Sequence, residues 1–479
     1  YLDHTMTKML HLWAALILCC LGTQAGATDR YVDWNLSAGD GVNTFASITN
    51  AVAAAVDGDR IIIVPGDYYE QALTIGKSLT LIPSDGSGVI DFHATINVAT
   101  QADGKVELVS IHTGVYALNV TSASYRFNIT ALSCQFGDVN INASHGGTGA
   151  NRAEFHLIDG TISTNFNANQ NGWDPRLIRS TVGSTTTIRC GDVVMSTMPR
   201  LVVNDEPDGN SAEFKMAIIQ NEFSDYVEFR NDNHLVRMAN NQMKNLYWFM
   251  WNHTSGSNDI INNEFVTNAY IHFPWNPPGW AHRFYNNIFG TTYFMRWAVA
   301  YAYWDNTNFN WCDTENNCNC GAGQVDIGDQ RWNGELPYFG ARNMFNCTSS
   351  SCCSGTGIGS NINFWATNGA AFPNPAYGGF FEWNHNSIGL PHPPISGSNP
   401  LVYGEMGNGG ANENGGSPAH EFYDLDLTVN DRGRAGGPWG YANFPENTDA
   451  KALIYDLDMP ADLFPGQDVD IRAKAYQRN

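Results

Sequence analysis

The chain has 479 residues, of which 43% are apolar and 15% charged, with 47 glycines and a net charge of −22. Low charge and abundant turn formers suit a turn-rich β protein with ample material for a core. The acidity argues against nucleic acid, other polyanions and anionic membrane surfaces as partners.

The first element in chain order is a targeting segment. Met6-Thr-Lys8 precedes an apolar run from Met9 to Leu21, broken only by His11, and then Ala25-Gly26-Ala27. A basic start, an apolar centre and an Ala-x-Ala site predict a secretory signal over residues 1–27. The run is too short to span a bilayer, and Leu18 before Cys19 does not fit lipoprotein processing. The expected location is therefore secreted or cell-surface, with no membrane span.

Residues 44–56 follow, with Phe45, Ile48, Val52 and Val56 at helical spacing, and Asp57-Gly58-Asp59 as a stop. Arg60–Tyr68 and Ala72–Ile82 then read as short strands separated by glycine turns. Further on, six-residue blocks recur: Ile218–Phe223, Met238–Met243, Ile260–Phe265 and Phe284–Phe289. Their central asparagines, Asn221, Asn241, Asn263 and Asn287, follow one another after 20, 22 and 24 residues. A period of this length marks a unit that buries its apolar face only by stacking on neighbours. In such a coil the asparagines are expected to hydrogen-bond one another and the bent backbone between strands.

Counting from each ladder Asn, offset +6 holds Val227, Tyr247, Ala269 and Tyr293, and offset +8 holds Phe229, Phe249, Ile271 and Met295. Strand alternation then predicts these as inward. The outward set is Glu228, Trp248, Tyr270 and Phe294 at +7, with Arg230, Met250, His272 and Arg296 at +9.

The run Gly58–Pro83, with the helix before it, closely resembles the first coils and amino-terminal cap of right-handed parallel β-helix proteins of the pectin-lyase-like superfamily. Later coils are expected to start near Val106, Phe127, Ala153, Thr186, Ala212, Leu235, Asn258 and Ala281. The resemblance implies one all-β domain over residues 28–400: a right-handed parallel β-helix (solenoid) with an N-terminal helical cap. It includes a cysteine-rich insertion over 305–380, and 340–345 within it and 385–388 after it look like further ladder blocks. Residues 401–479 read as loop and a C-terminal strand cap, with strands at 451–459 and 468–475. The run Asn430–Pro438 resembles closing segments of some secreted β-helix proteins and is expected to return along the solenoid.

Cys312, Cys318, Cys320, Cys347, Cys352 and Cys353 are expected to form disulfides in an exported protein. Cys134 and Cys190 fall in coil strands, where they either pair across coils or remain buried thiols. Asn35, Asn119, Asn128, Asn142, Asn252 and Asn346 begin glycosylation sequons.

Enzymes of that superfamily place their sites on an outer face where stacked coils form a shallow groove for extended polysaccharide. Here Trp248, Tyr270, His272, Phe294 and Arg296 are the expected ligand-binding strip, with rings for sugar faces and cations for sugar acids. If the chain cleaves polysaccharide, as a lyase or a glycoside hydrolase, Arg230, His272 or Arg296 could act as base. Asp225 and Glu228, with Asp232, Glu222 and Glu264 nearby, are the carboxylate alternative. Asp205, Glu206 and Asp208 offer hard oxygens suited to calcium, the one cofactor considered, although they match no complete loop pattern. The motifs of pectin methylesterases, polygalacturonases and pectate lyases are missing, so no catalytic residue carries over. The expected function is binding of extracellular polysaccharide along the aromatic and basic outer face, with or without cleavage. The alternative is a structural or adhesive surface protein whose coils stack on copies of itself.

Overall fold

The computed structural model describes residues 27–99, 103–121, 126–145, 152–204, 216–230, 235–249, 256–272, 280–295, 372–374, 379–384, 387–388, 434, 436–437, 452–458 and 472–477. The expected signal segment, the six clustered cysteines and Asp205, Glu206 and Asp208 lie outside these residues, as do Asp232, Met250, Arg296 and the block at 340–345.

The chain winds as a parallel β-solenoid. A fifteen-stranded sheet takes one strand from each successive coil, running through Arg60–Ile63, Leu79–Pro83, Gly104–Val109, Phe127–Leu132 and Ala153–Ile158 to Trp280–Tyr285 and Gly379–Asn384. The rest of each coil joins an eighteen-stranded sheet. Early coils contribute two short strands to it, such as Ile111–His112 and Leu118–Val120. From Thr197–Val203 onward these fuse into one long strand per coil: Glu222–Phe229, Gln242–Phe249, Glu264–His272 and Ile288–Met295. Two coil starts differ from expectation. Trp173–Ile178 opens a coil that periodicity did not pick out, and Thr186 lies instead in the second sheet, within Thr185–Ile188. A coil does follow the cysteine-rich region, because Gly379–Asn384 pairs with Trp280–Tyr285 and Ser387–Ile388 pairs with Ile288–Phe289.

The core lies between the sheets. Its alternation is clearest in Leu79–Pro83 and Phe127–Leu132, where every second residue is buried. At the amino-terminal end the expected helix spans Ile48–Ala54, with Ser47 as N-cap and Ile48, Ala51 and Val52 in the core. Glu70 accepts the free N–H groups of Ile48 and Thr49, at 2.7 and 2.8 Å, and Lys77 Nζ donates to the carbonyls of Ala53 and Ala55 at the other end. Charges of each sign thus sit where the helix dipole favours them. Near the carboxyl end, Ala452–Asp458 and Arg472–Gln477 form their own antiparallel pair.

From the coil of Gly104–Val109 to that of Trp280–Tyr285, each coil turns between the sheets on one residue in the left-handed region. Ser110, Ser133, Asp159, Arg179, Met195, Gln220, Asn240, Asn262 and Asn286 have φ between 49° and 58°. Side chains avoid this region, and from Ser110 to Asn240 the stack offsets the cost by giving each such N–H a carbonyl on the next coil, as in Gln220 to Ala239 and Asn240 to Ile261.

The residues after Gln220, Asn240, Asn262 and Asn286 carry the predicted ladder. Asn221 donates to Asn241 Oδ1 at 2.9 Å, Asn241 to Asn263 Oδ1 at 2.9 Å, and Asn263 to Asn287 Oδ1 at 3.0 Å. Each Oδ1 also accepts the previous backbone N–H. Each Nδ2 reaches a carbonyl further back: Val193 from Asn221, Ile218 from Asn241, Met238 from Asn263 and Ile260 from Asn287. The ladder starts earlier than its asparagines. Ser180 and Ser196 hold the same position, with Ser180 N–H donating to Ser196 Oγ and Ser196 N–H to Asn221 Oδ1. Cys134 belongs here too, its thiol donating to Leu108 and Leu132 carbonyls just as Ser180 donates to those of Leu157 and Ile178.

Cys134 and Cys190 are therefore buried thiols and do not pair with each other. Burial pushes the Cys134 thiol up to about 12, so the reactive thiolate is scarce at neutral pH. Native alkylation followed by peptide mass spectrometry should leave Cys134 and Cys190 unlabelled until denaturant is added.

Asn241→Ala should be costly, because it strands donors and acceptors on both neighbouring coils. The expected loss of unfolding free energy is about 3 kcal/mol. Asn119→Ala, on a half-buried ladder at the surface, should cost less than about 1 kcal/mol by the same denaturant titration.

Candidate functional site

The long strands of the second sheet do not keep a constant length before their inward residues. Their pairing shifts by one residue between Met198 and Arg200, Phe223 and Tyr226, Met243 and Asn245, and Phe265 and Asn268. The coils from Asn221 and Asn263 carry the extra residue and those from Asn241 and Asn287 do not. A one-residue slip exchanges the faces of every later side chain. Val227 and Leu246 are consequently in register and both buried, as are Phe229 and Trp248.

This corrects the expected binding strip. Trp248 is fully buried and stacks on Phe229, with ring centroids 4.5 Å apart. Phe294 shares its register column. Tyr247, expected inside, is instead half-buried on the other face of its strand, while Leu246 is buried. Val227 and Phe229 are buried as predicted. Tyr270 is in register with Tyr247 and Tyr293, and His272 with Phe249 and Met295. Trp248 is therefore not part of the expected strip.

The register assembles a different one. Thr74, Asn97, Asn119, Asn140, Asn167, Thr187, Val202, Glu228, Tyr247, Tyr270 and Tyr293 form a single continuous column. At about 4.8 Å per coil it runs for roughly 45 Å, with Val202 in its middle buried. Its early rungs are amides: Asn119 Nδ2 donates to Asn97 Oδ1 and Asn140 Nδ2 to Asn119 Oδ1, both at 3.2 Å. Its late rungs are phenols, joined from the adjacent column by Tyr226, whose ring meets Tyr247 edge-on at 5.8 Å. Fixed offsets hid this column because they crossed the alternating bulges. Asn119 is also the head of a sequon, and here its amide is committed to the ladder.

The cations beside the column have carboxylates of their own. Arg230 pairs with Glu228 at 2.7 Å, and Arg200 pairs with Asp225 at 2.8 Å while lying over the Tyr226 ring. The hydrogen bond to Glu228 raises Arg230 further above its already high range, which disfavours it as a proton acceptor. Glu228 and Asp225 are likewise engaged as ion-pair partners.

Glu222 and Glu264 are not open to solvent either. They share an outer column with Gln242, and Arg434 is buried against them. Its guanidinium donates to Glu222 Oε1 at 3.1 and 3.2 Å and to Gln242 Oε1 at 2.9 Å. Asn240 Nδ2 donates to the Arg434 and Gly436 carbonyls at 2.9 and 2.6 Å. The returning run expected around 430–438 thus meets the side of the coils at these residues. Burial pushes Glu264 up to about 7, against the opposing effect of Arg434.

A further charged group on the outer face of the first sheet was not foreseen. Arg176 lies 2.9 Å from Asp174, 3.9 Å from Glu154 and 3.9 Å from Asp192. His156 beside it is pushed down to about 4, first by burial and then by Arg176, so it is neutral at physiological pH. Shared by three carboxylates, Arg176 makes this a salt-bridge lattice. Among the described residues no three His, Cys, Asp or Glu side chains are arranged to hold a metal ion, and no helix is long and apolar enough to cross a membrane.

No family model, no curated protein and no solved structure matches the chain.

Trp248→Ala should cost about 3–5 kcal/mol of stability by removing a core ring, whereas Tyr247→Ala should shift the unfolding free energy by less than about 1 kcal/mol. Equal losses in denaturant titrations would contradict the alternating register.

Proposed function

We propose that this is a secreted protein that binds an extended polysaccharide along the outer column from Asn97 to Tyr293. The register of that column carries the reading: four amides from Asn97 to Asn167 and three tyrosines from Tyr247 to Tyr293, with Thr187, the buried Val202 and Glu228 between them, recur at one coil spacing over a length that suits a polymer rather than a small molecule. Ring faces offer apolar contact to sugar faces, and amides offer paired donors and acceptors to hydroxyls. The likeness of Gly58–Pro83 to pectin-lyase-like β-helix proteins supports a glycan as the polymer.

The charges favour a neutral glycan. Arg200 and Arg230 are held by Asp225 and Glu228, and the chain as a whole carries −22. An acidic polysaccharide would meet repulsion without a free cation from either arginine to offset it. Binding without cleavage suits the same arrangement, because Asp225, Glu228, Glu222 and Glu264 are all engaged in contacts that would have to break before they served as acid or base. The self-assembling alternative draws less support, since the first sheet ends at its amino-terminal edge in the two-residue strand Thr44–Phe45, a poor template for adding another chain.

Glycan-array and calorimetric titration should find binding to a neutral polysaccharide whose affinity rises with oligomer length and changes little between low and high salt. Tyr247→Ala combined with Tyr270→Ala should weaken it by about tenfold, on the order of 1.4 kcal/mol, at unchanged melting temperature. Tight, salt-sensitive binding to a polyuronate, or unaltered binding by the double variant, would overturn the reading.

A further inference from the structure

The first strand, Asp29–Val32, follows a residue that is held through both of its backbone polar groups. The Thr28 carbonyl accepts the Arg60 N–H at 3.1 Å, and the Thr28 N–H donates to Asp59 Oδ1 at 2.9 Å. Asp59 is fully buried, and its other oxygen accepts from Arg30 Nε at 2.7 Å and from the Val56 N–H at 2.9 Å. Against the opposing effect of burial, the N–H groups of Val56 and Thr28 and the Arg30 guanidinium hold the Asp59 carboxyl below its ordinary range. A buried carboxylate is thus aimed at the backbone nitrogen of Thr28, while Ala27 and Thr28 themselves are exposed. Thr28 is also the residue that follows Ala25-Gly26-Ala27, the expected cleavage site.

We infer that cleavage between Ala27 and Thr28 creates an α-ammonium group that seats on Asp59, so that removal of the leader locks the first strand of the solenoid. The cleavage rests on the secreted reading proposed above, and the seat rests on the contacts alone. Hydrolysis by a leader peptidase adds water across the Ala27–Thr28 peptide bond. Ala27 leaves with a carboxylate, and the Thr28 nitrogen, until then an amide, becomes an amine that takes up a proton. That nitrogen does not have to move. Its contact with Asp59 already has the length of a bond between ammonium and carboxylate, and such a bond is about twice as strong as one from a neutral amide. Its other hydrogens face water, because Thr28 is exposed.

The remaining charges on these elements have other duties. Asp29 lies 3.6 Å from Arg60, Asp57 accepts the Ser78 N–H, and Lys77 donates to the carbonyls that end the helix. Arg30 shares Asp59 with the new charge, from the opposite oxygen. An α-amine ordinarily titrates at about 8. Pairing with Asp59 raises that value in the folded chain, so the added stability is fully present below about pH 8 and is lost as the pH rises through the raised value.

The test begins with the whole precursor expressed in a secreting cell. Mass spectrometry of the protein in the medium should find Thr28 as its first residue, and any other first residue would overturn the inference. A precursor retained in the cells with its leader would sink the secreted reading and the cleavage together, whereas failure to bind glycan bears only on the column from Asn97 to Tyr293. Chains beginning at Thr28 are then compared with chains beginning at Gly26, in which the Thr28 nitrogen stays an amide. Acetic anhydride labelling at pH 8 should modify the Thr28 amine about tenfold less than the Gly26 amine of the longer chain, and Asp59→Asn should abolish the difference. Hydrogen–deuterium exchange at pH 7 needs no substitution: residues 60–64 should exchange about tenfold more slowly in the chain that begins at Thr28. Equal labelling of the two amines, equal exchange in the two chains, or a labelling difference that survives Asp59→Asn would each overturn the inference.

Discussion

The solenoid depends on how it turns its corner. A chain that passes from one sheet to the other inside a stacked coil exposes backbone groups that no strand partner reaches, and buried groups of this kind must be hydrogen-bonded. The corner pairs a left-handed residue with a ladder side chain. The first sends its N–H to the next coil, and the second binds carbonyls of its own and the previous coil. Asn serves best because one amide supplies both a donor and an acceptor, and four asparagines in succession close a chain of bonds through Asn287. Ser and Cys at Ser180, Ser196 and Cys134 manage the carbonyl with a single donor. Gly160 at the same position brings no side chain, and its N–H turns to Ser180 Oγ.

With the corners fixed, the next variable is the distance from corner to inward residue. That distance alternates between coils by one residue, and the alternation decides which aromatic rings serve the core and which face out. Phe229 and Trp248 stack inside, while Tyr247 takes the opposite face in register with Tyr270 and Tyr293. A bulge is a small backbone change with a large effect on surface chemistry, because the side-chain period along a strand is two. The outer column proposed to bind glycan is a product of these bulges as much as of its residues.

Charge is managed locally despite the large net acidity. Arg30 meets the buried Asp59 at 2.7 Å, Arg176 is shared among three carboxylates, and Arg237 lies 3.7 Å from the buried Asp259. Each arginine enters a low-dielectric site with its counter-charge present, which is the condition for burying it. At the Arg434 site one buried guanidinium lies beside two buried carboxylates, Glu222 and Glu264, and burial raises the Glu264 carboxyl to about 7.

Much of the architecture was legible in local signals. The helix near residues 44–56, the strands after it, the recurring Asn blocks and the bonds between those asparagines depend on propensity and period, which act over a few residues. The serine and cysteine members of the ladder were not legible, because they share a position and a donor rather than a residue type. The coil at Trp173 escaped notice because it lacks the Asn block. The assignment of faces beyond the corner also failed for Trp248, since whether a strand carries an extra residue is settled by its pairing with the coils on either side. The meeting of Arg434 with Glu222, 212 residues away, has no local signature of any kind. The sequence by itself therefore determined that the chain coils and where it turns, through short-range backbone chemistry. Only the tertiary structure decided which side chains face outward and which charges are shut in, because those outcomes depend on register between strands and on contacts made across the whole length of the chain.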